Sequence, residues 1–157
     1  MKKIVFSLLL VFGIVLLAGC GKVVDFNKVS HITCKKTEAN INETTVTTMT
    51  FSYDKTEKLN DFLVESDTTY NRTMSKEAMN ITAKAMKLIS QASGLGFKSE
   101  VSENRLYFSF NGNIRSLKVL MKQLDKNYNE EKVFGDTKSE AITELAKEGY
   151  SCQDYKK

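Results

Sequence analysis

Alternation with a period of two opens the folded part of the chain. Over residues 44–53, Thr47, Met49, Phe51 and Tyr53 fall on one side and Thr48, Thr50 and Ser52 on the other. Successive strand side chains point to opposite faces, so the spacing predicts a strand with one apolar face. Residues 30–36 show the same pattern, with Ile32 and Cys34 between polar neighbours, and residues 37–43 read as a turn. After the turn Asp54-Lys55-Thr56-Glu57, residues 59–70 carry Phe62 and Val64 and are predicted to pair back, completing a three-stranded antiparallel meander.

From Ser75 the period changes. Met79, Thr82, Met86 and Ile89 recur at helical spacing, Ala78, Ala85 and Ala92 widen the stripe, Ser75 suits an N-cap and Gly94 a stop. A Met-rich stripe can line an adaptable groove, but the ordinary expectation is the core face of a helix lying on the sheet. Residues 97–101 and 106–110 flank a polar turn and predict a hairpin with Leu106, Phe108 and Phe110 on one face, ended by Asn111-Gly112-Asn113. A second helix follows through Ile114, Leu117, Met121, Leu124 and Tyr128, with Lys118, Lys122 and Lys126 on another face. Such a row is usually solvated, though beside a membrane it could meet anionic head groups. Thr137 and Glu140 have capping-box spacing ahead of Ala141, Ile142, Leu145 and Ala146, predicting a third helix that Gly149 ends. The chain then leaves extended through Cys152. The expected class is α+β, one antiparallel sheet of about five strands (meander plus hairpin) packed with about three helices.

The amino-terminal pattern concerns location. Lys2 and Lys3 precede an apolar run over residues 4–17, and Leu17-Ala18-Gly19-Cys20 closes it with small residues. The run is shorter than the roughly 20 apolar residues that cross a bilayer. The ending resembles a bacterial lipoprotein box, which implies removal of residues 1–19 as a signal peptide and attachment of lipid, including an acyl chain such as palmitate, to Cys20. Residues 20–30 would be a lipidated tether and residues 31–157 a single extracytoplasmic domain. Two acyl chains, at about 0.8 kcal/mol per buried methylene, anchor a protein stably where one does so marginally.

With Cys20 lipidated, the three cysteines leave Cys34 and Cys152 as a pair outside the reducing cytosol, and a disulfide between them is expected. Two buried free thiols are the competing reading. Removing 19 of 157 residues leaves 138, a usual size for one domain. Lys2 and Lys3 account for part of the net charge of +4, so the remainder is near balance and lacks the concentrated basic face that nucleic acid requires. Frequent Lys, Asn and Ile suggest an AT-rich bacterial source of Gram-positive type, in which the protein sits on the outer face of the cytoplasmic membrane.

Several of these segments together resemble the YehR-like small bacterial lipoproteins. They are Leu17-Ala18-Gly19-Cys20, the strand Met49-Thr50-Phe51-Ser52-Tyr53 with its Asp-Lys turn, the hairpin strand leading to Ile114-Arg115, and the ending Glu148-Gly149-Tyr150. The resemblance implies an α+β lipoprotein domain without an established activity. It carries over no catalytic residues and does not imply the Cys34 and Cys152 pair.

Chemistry is sparse. His31 is the single imidazole, which leaves little for a His-based zinc site or a Ser-His-Asp triad. It is expected on the outer side of the first strand, facing away from Cys34. The carboxylate pairs Glu130-Glu131, Glu100 with Glu103 and Glu140 with Glu144 read as solvated faces, with nothing to gather them in one cleft. No metal, cofactor, catalytic residue or nucleic-acid partner is expected. The leading function is a non-enzymatic interaction or accessory module of the cell envelope, through the Thr48, Thr50 and Ser52 face or an open strand edge. The alternative is a carrier of a small or apolar ligand between the sheet and the Met79 to Ile89 helix face. The partner is the membrane through its lipid, and either an envelope protein or a small ligand; no oligomeric state follows from the sequence.

Overall fold

The computed structural model describes residues 24–72, 75–124 and 135–157. The strands are β1 His31–Ala39, β2 Glu43–Tyr53, β3 Leu59–Tyr70, β4 Gly96–Val101, β5 Arg105–Asn113 and β6 Ser151–Tyr155. The helices are α1 Lys76–Ala92, α2 Ile114–Leu124 and α3 Lys138–Lys147, and a 3-10 turn at Phe26–Lys28 precedes β1. One sheet runs in the order β4-β5-β3-β2-β1-β6 with every neighbouring pair antiparallel. The α+β class holds, with six strands where five were expected.

The sixth strand is the carboxy-terminal segment, which adds to the edge of the sheet by pairing with β1 from His31↔Tyr155 to Lys35↔Ser151. Its five residues are largely exposed and show no apolar alternation. Pairing extends other strands as well. Residues 37–39, expected in a turn, continue β1 against Val46, Thr45 and Thr44. Asn111, Gly112 and Asn113 continue β5 against Leu63, Phe62 and Asp61. Gly112 is what lets that continuation pack, since a Cβ there would lie 2.7 Å from Leu95 Cδ2 and 3.4 Å from the Phe62 ring.

Register sorts the side chains. Ile32, Phe51 and Phe62 share one face with Cys34, Met49, Val64, Phe110 and Phe97. That face is covered by Ile114, Leu117 and Met121 of α2 and by Ala141, Ile142 and Leu145 of α3. A second cluster joins Met79 and Ala83 of α1 to Leu106, with Tyr70, Val101 and Phe108 against it. Antiparallel sheets commonly bury one face and leave the other to solvent, and among the described residues no helix covers the second face here.

The helix faces are slightly rotated from expectation. Ser75 caps α1 and Gly94, at φ +67°, lies just beyond its end, as predicted. The buried residues are Met79, Ala83 and Ser90, Ile89 packs against the main core as expected and Met86 is half-buried, whereas Ala78, Thr82, Ala85 and Ala92 are exposed. Ala83 wins over Thr82 because it lies one turn from Met79 on the side toward β5. Ala146 of α3 is likewise exposed. The α3 capping box forms: the Thr137 hydroxyl accepts from Glu140 N at 3.3 Å and Glu140 Oε2 accepts from Thr137 N at 3.1 Å. Among the described residues no helix is long and apolar enough to cross a membrane.

Candidate functional site

Cys20 lies outside the described residues, as do Lys126, Tyr128, Glu130 and Glu131. Cys34 and Cys152 face each other in register on β1 and β6, with Sγ atoms 2.07 Å apart and Cα atoms 4.0 Å apart, so they form a disulfide. Cys34 is fully buried and joins the main core cluster. The bond fastens the edge strand β6 to the sheet and ties residue 152 to residue 34.

His31 lies on the helix-free face, opposite in direction to Ile32 and Cys34. Its ring stacks on Tyr155 at 4.7 Å, meets Phe26 edge-on at 6.2 Å, and its Nδ1 is 3.0 Å from the Val29 carbonyl oxygen. No Cys-His pair is therefore assembled. Glu140 is engaged in the α3 cap, where backbone N–H donors from Asp136 and Thr137 hold its carboxyl below the usual glutamate range. Glu144 pairs with Lys147, and Glu100 reaches Arg105 at 3.7 Å.

The Thr48, Thr50 and Ser52 row lies on the helix-free face, but it is not an exposed surface throughout. Thr50 is 7% and Ser52 4% exposed. Small side chains on a crowded, paired strand are shielded by larger neighbours, here with Thr50 Oγ1 3.3 Å from Thr33 Oγ1 and the Ser52 hydroxyl donating to Asp61 at 3.2 Å. What this face presents is the larger and longer side chains around that row, including Val46, Leu63, Glu65 and Tyr107. Its polar groups are partnered: Arg105 donates two bonds to Asp67 at 2.7 and 2.9 Å, and the Tyr107 hydroxyl donates to Glu65 at 2.7 Å. The Arg105 guanidinium holds the Asp67 carboxyl below the usual aspartate range.

One end of the sheet gathers the beginning and end of the domain. The start of β1, the β2–β3 turn, the ends of β5 and β6 and the starts of α2 and α3 meet there. Ser30 Oγ donates to the Lys157 carbonyl at 3.3 Å and accepts from Lys157 N at 3.1 Å, joining the lead-in segment to the last residue. A charged network lies beside them. The Tyr53 hydroxyl donates to Asp154, Lys138 donates to Asp154 at 3.1 Å and pairs with Glu57 at 2.8 Å, and the Lys138 ammonium sits 4.9 Å from the Tyr53 ring centre. Burial, then the bond to Asp154, pushes the Tyr53 hydroxyl up to about 12. Lys138 is raised by Glu57 and then Asp154. Burial works against ionisation of Asp154, but Tyr53 and Lys138 outweigh it and its pKa is lowered. Nothing in sequence spacing marks this network, because its members come from three separated segments, the β2–β3 hairpin, α3 and β6.

Two open hollows lie at the same end. One, of about 570 Å³, is bordered by Asn60, Asp61, Asn113, Arg115 and Lys118; the other, of about 690 Å³, by Asn27, His31, Asp154, Tyr155, Lys156 and Lys157. Both carry amide and cationic donors that can meet an anion beside one carboxylate each, Asp61 and Asp154, and neither brings a nucleophile next to a base. The space expected for a ligand beneath α1 is taken up by side chains, with Met79 1% exposed against Leu106, Tyr70, Val101 and Phe108. No protein-family model, curated protein or solved structure matches this chain.

Proposed function

We propose that this protein is an extracytoplasmic lipoprotein, held to the membrane through Cys20, whose α+β domain serves as a non-enzymatic interaction module of the cell envelope. The Cys34–Cys152 bond is the observation that carries this reading. Disulfides persist outside the reducing cytosol, and pairing these two leaves Cys20 as the only unpaired cysteine of the three. The apolar leader before it supplies the export route, and the likeness to YehR-like lipoproteins points the same way. In a Gram-positive cell the domain would stand on the outer face of the cytoplasmic membrane.

The interaction role rests on the sheet. Among the described residues, three helices on one face leave the other uncovered and no further strand lies beside the outer edge of β6. An added strand could pair there through main-chain hydrogen bonds. The ligand-carrier alternative has less support, because the α1 face it would use is packed against β5. Photocrosslinking in intact cells tests the role: a crosslinker at Leu63 or Gln153 should give one recurrent adduct that a crosslinker at Lys84 on the helix layer does not. Adducts that are absent, or the same from all three positions, would remove it.

A further inference from the structure

Beyond anchorage itself, the fold says how the domain should meet its bilayer. We propose that the end of the sheet holding Val24 to Ser30 and Lys157 rests on anionic phospholipid head groups, so that the domain stands upright on the membrane with a fixed pole down. The inference rests on lipidation at Cys20.

Reach is the first argument. The described chain begins at Val24, four residues after Cys20, and four extended residues span at most about 14 Å. The pole that contains Val24 to Ser30 cannot therefore move far from the acyl anchor. The last residue is brought to the same place by the Ser30 and Lys157 bonds.

Charge is the second. This pole carries Lys28, Lys55, Lys58, Arg115, Lys118, Lys138, Lys156 and Lys157 against Asp25, Asp54, Glu57, Asp61, Asp136, Glu140 and Asp154. The acids are engaged. Asp25 pairs with Lys28, Asp136 with Lys118, and Glu57 and Asp154 with Lys138. Asp54 accepts from Thr56 and from the Lys58 backbone, Asp61 from Ser52 and Glu140 from the α3 start; these three keep their charge but are held in turns and caps. Lys55, Lys58, Arg115, Lys156 and Lys157 make no ion pair among the described residues, and all five are exposed. At the opposite pole the turns and the helix ends beside them carry Glu43, Glu77, Glu103 and Glu148 against Arg72, Lys76, Arg105 and Lys147, which balance. An anionic surface attracts the first pole and not the second.

Shape is the third. Both open hollows are at this pole, and each offers ammonium or guanidinium donors beside an Asn side chain; each also holds one carboxylate, Asp61 bonded by Ser52 and Asp154 bonded by Tyr53 and Lys138. A phosphodiester carries one negative charge and oxygens that accept from such donors. Each basic residue near an anionic membrane surface changes binding by about fivefold.

The test uses the mature lipoprotein extracted from membranes and placed in lipid nanodiscs doped with a gadolinium-chelating head group. Backbone amide broadening is read in discs containing phosphatidylglycerol and in pure phosphatidylcholine discs. Broadening at residues 55–58, 115–118 and 155–157, with residues 40–42 and 102–104 spared, is expected in the anionic discs. It should fall at least fivefold in phosphatidylcholine or in half-molar salt, and in Lys55→Ala/Lys58→Ala/Lys156→Ala/Lys157→Ala, while the protein still co-elutes with the discs. Equal broadening of both poles, or broadening indifferent to lipid charge and to the four substitutions, would overturn the orientation. Failure to co-elute with phosphatidylcholine discs would instead count against the anchor; flotation of the same protein with phosphatidylglycerol vesicles then decides the pole, retention supporting it and loss overturning it.

Discussion

Tyr53 and Lys138 contribute to the alkaline limit of the fold, together with Tyr70, Tyr107 and Tyr150, whose hydroxyls burial also raises. An unfolded tyrosine ionises near 10, whereas Tyr53 in the fold holds its proton to about 12. Between those values the unfolded chain binds fewer protons, so this contribution to stability is complete below pH 10 and lost as pH rises toward 12. Lys138, also raised, acts in the same direction: its contribution is present below the ordinary lysine value of 10.5 and disappears as pH climbs through its folded pKa. Asp67 and Asp154 are lowered, so theirs is present above the ordinary value of 3.8 and lost as pH falls through the folded pKa. Urea midpoints should accordingly be flat from about pH 5 to 9 and drop on either side. Tyr53→Phe should flatten the fall between pH 10 and 12, and an unchanged slope would mean the network does not form. Gly135 makes a steric prediction. At φ +62° it sits where an added Cβ would lie 2.2 Å from Glu140 Cβ, so Gly135→Ala should lower the unfolding free energy by about 1–3 kcal/mol, read by the same titration. Alternation made the opposed directions of His31 and Cys34 legible in the sequence. The Tyr53, Lys138 and Asp154 network was not, because only the antiparallel return of β6 brings residue 154 beside residue 53.

Elements with a strong period were the legible ones. β2 alternates over Thr47 to Tyr53, and the α3 start shows Thr137 and Glu140 at the spacing that satisfies two orphan backbone donors. Thr137→Ala should cost about 1 kcal/mol in denaturant unfolding, and a loss below a few tenths would deny the cap its role. β6 had no such period. As a short edge strand with one neighbour it buries little, so its sequence is free to be polar, which also guards the edge against uncontrolled pairing. Its only sequence signal was cysteine parity. Asn111-Gly112-Asn113 misled in another way: turn-like residues stay in a strand because pairing with β3 and the seat of Leu95 over Gly112 outweigh local preference. Since the disulfide closes 118 residues and holds β6 in place, Cys34→Ala/Cys152→Ala should lower stability by about 2–4 kcal/mol. The loss should exceed that of Thr137→Ala, and equal losses would indicate that β6 is held by strand pairing alone.

At the scale of the whole molecule, sheet and helices separate into two layers, and this much follows from apolar periodicity. The charged pole does not. It is assembled from turns and termini that carry no pattern along the chain and become neighbours only through the strand order β4-β5-β3-β2-β1-β6. On function the sequence proposes only an address, through Leu17-Ala18-Gly19-Cys20 and the two cysteines left over. That address is the central claim, and the intact mass of protein extracted from cell membranes without reductant tests it most directly. The account predicts a chain beginning at Cys20, heavier by a diacylglyceryl group and lighter by the two hydrogens of the Cys34–Cys152 bond. A chain that keeps residues 1–19, bears no lipid and titrates three free thiols would contradict it.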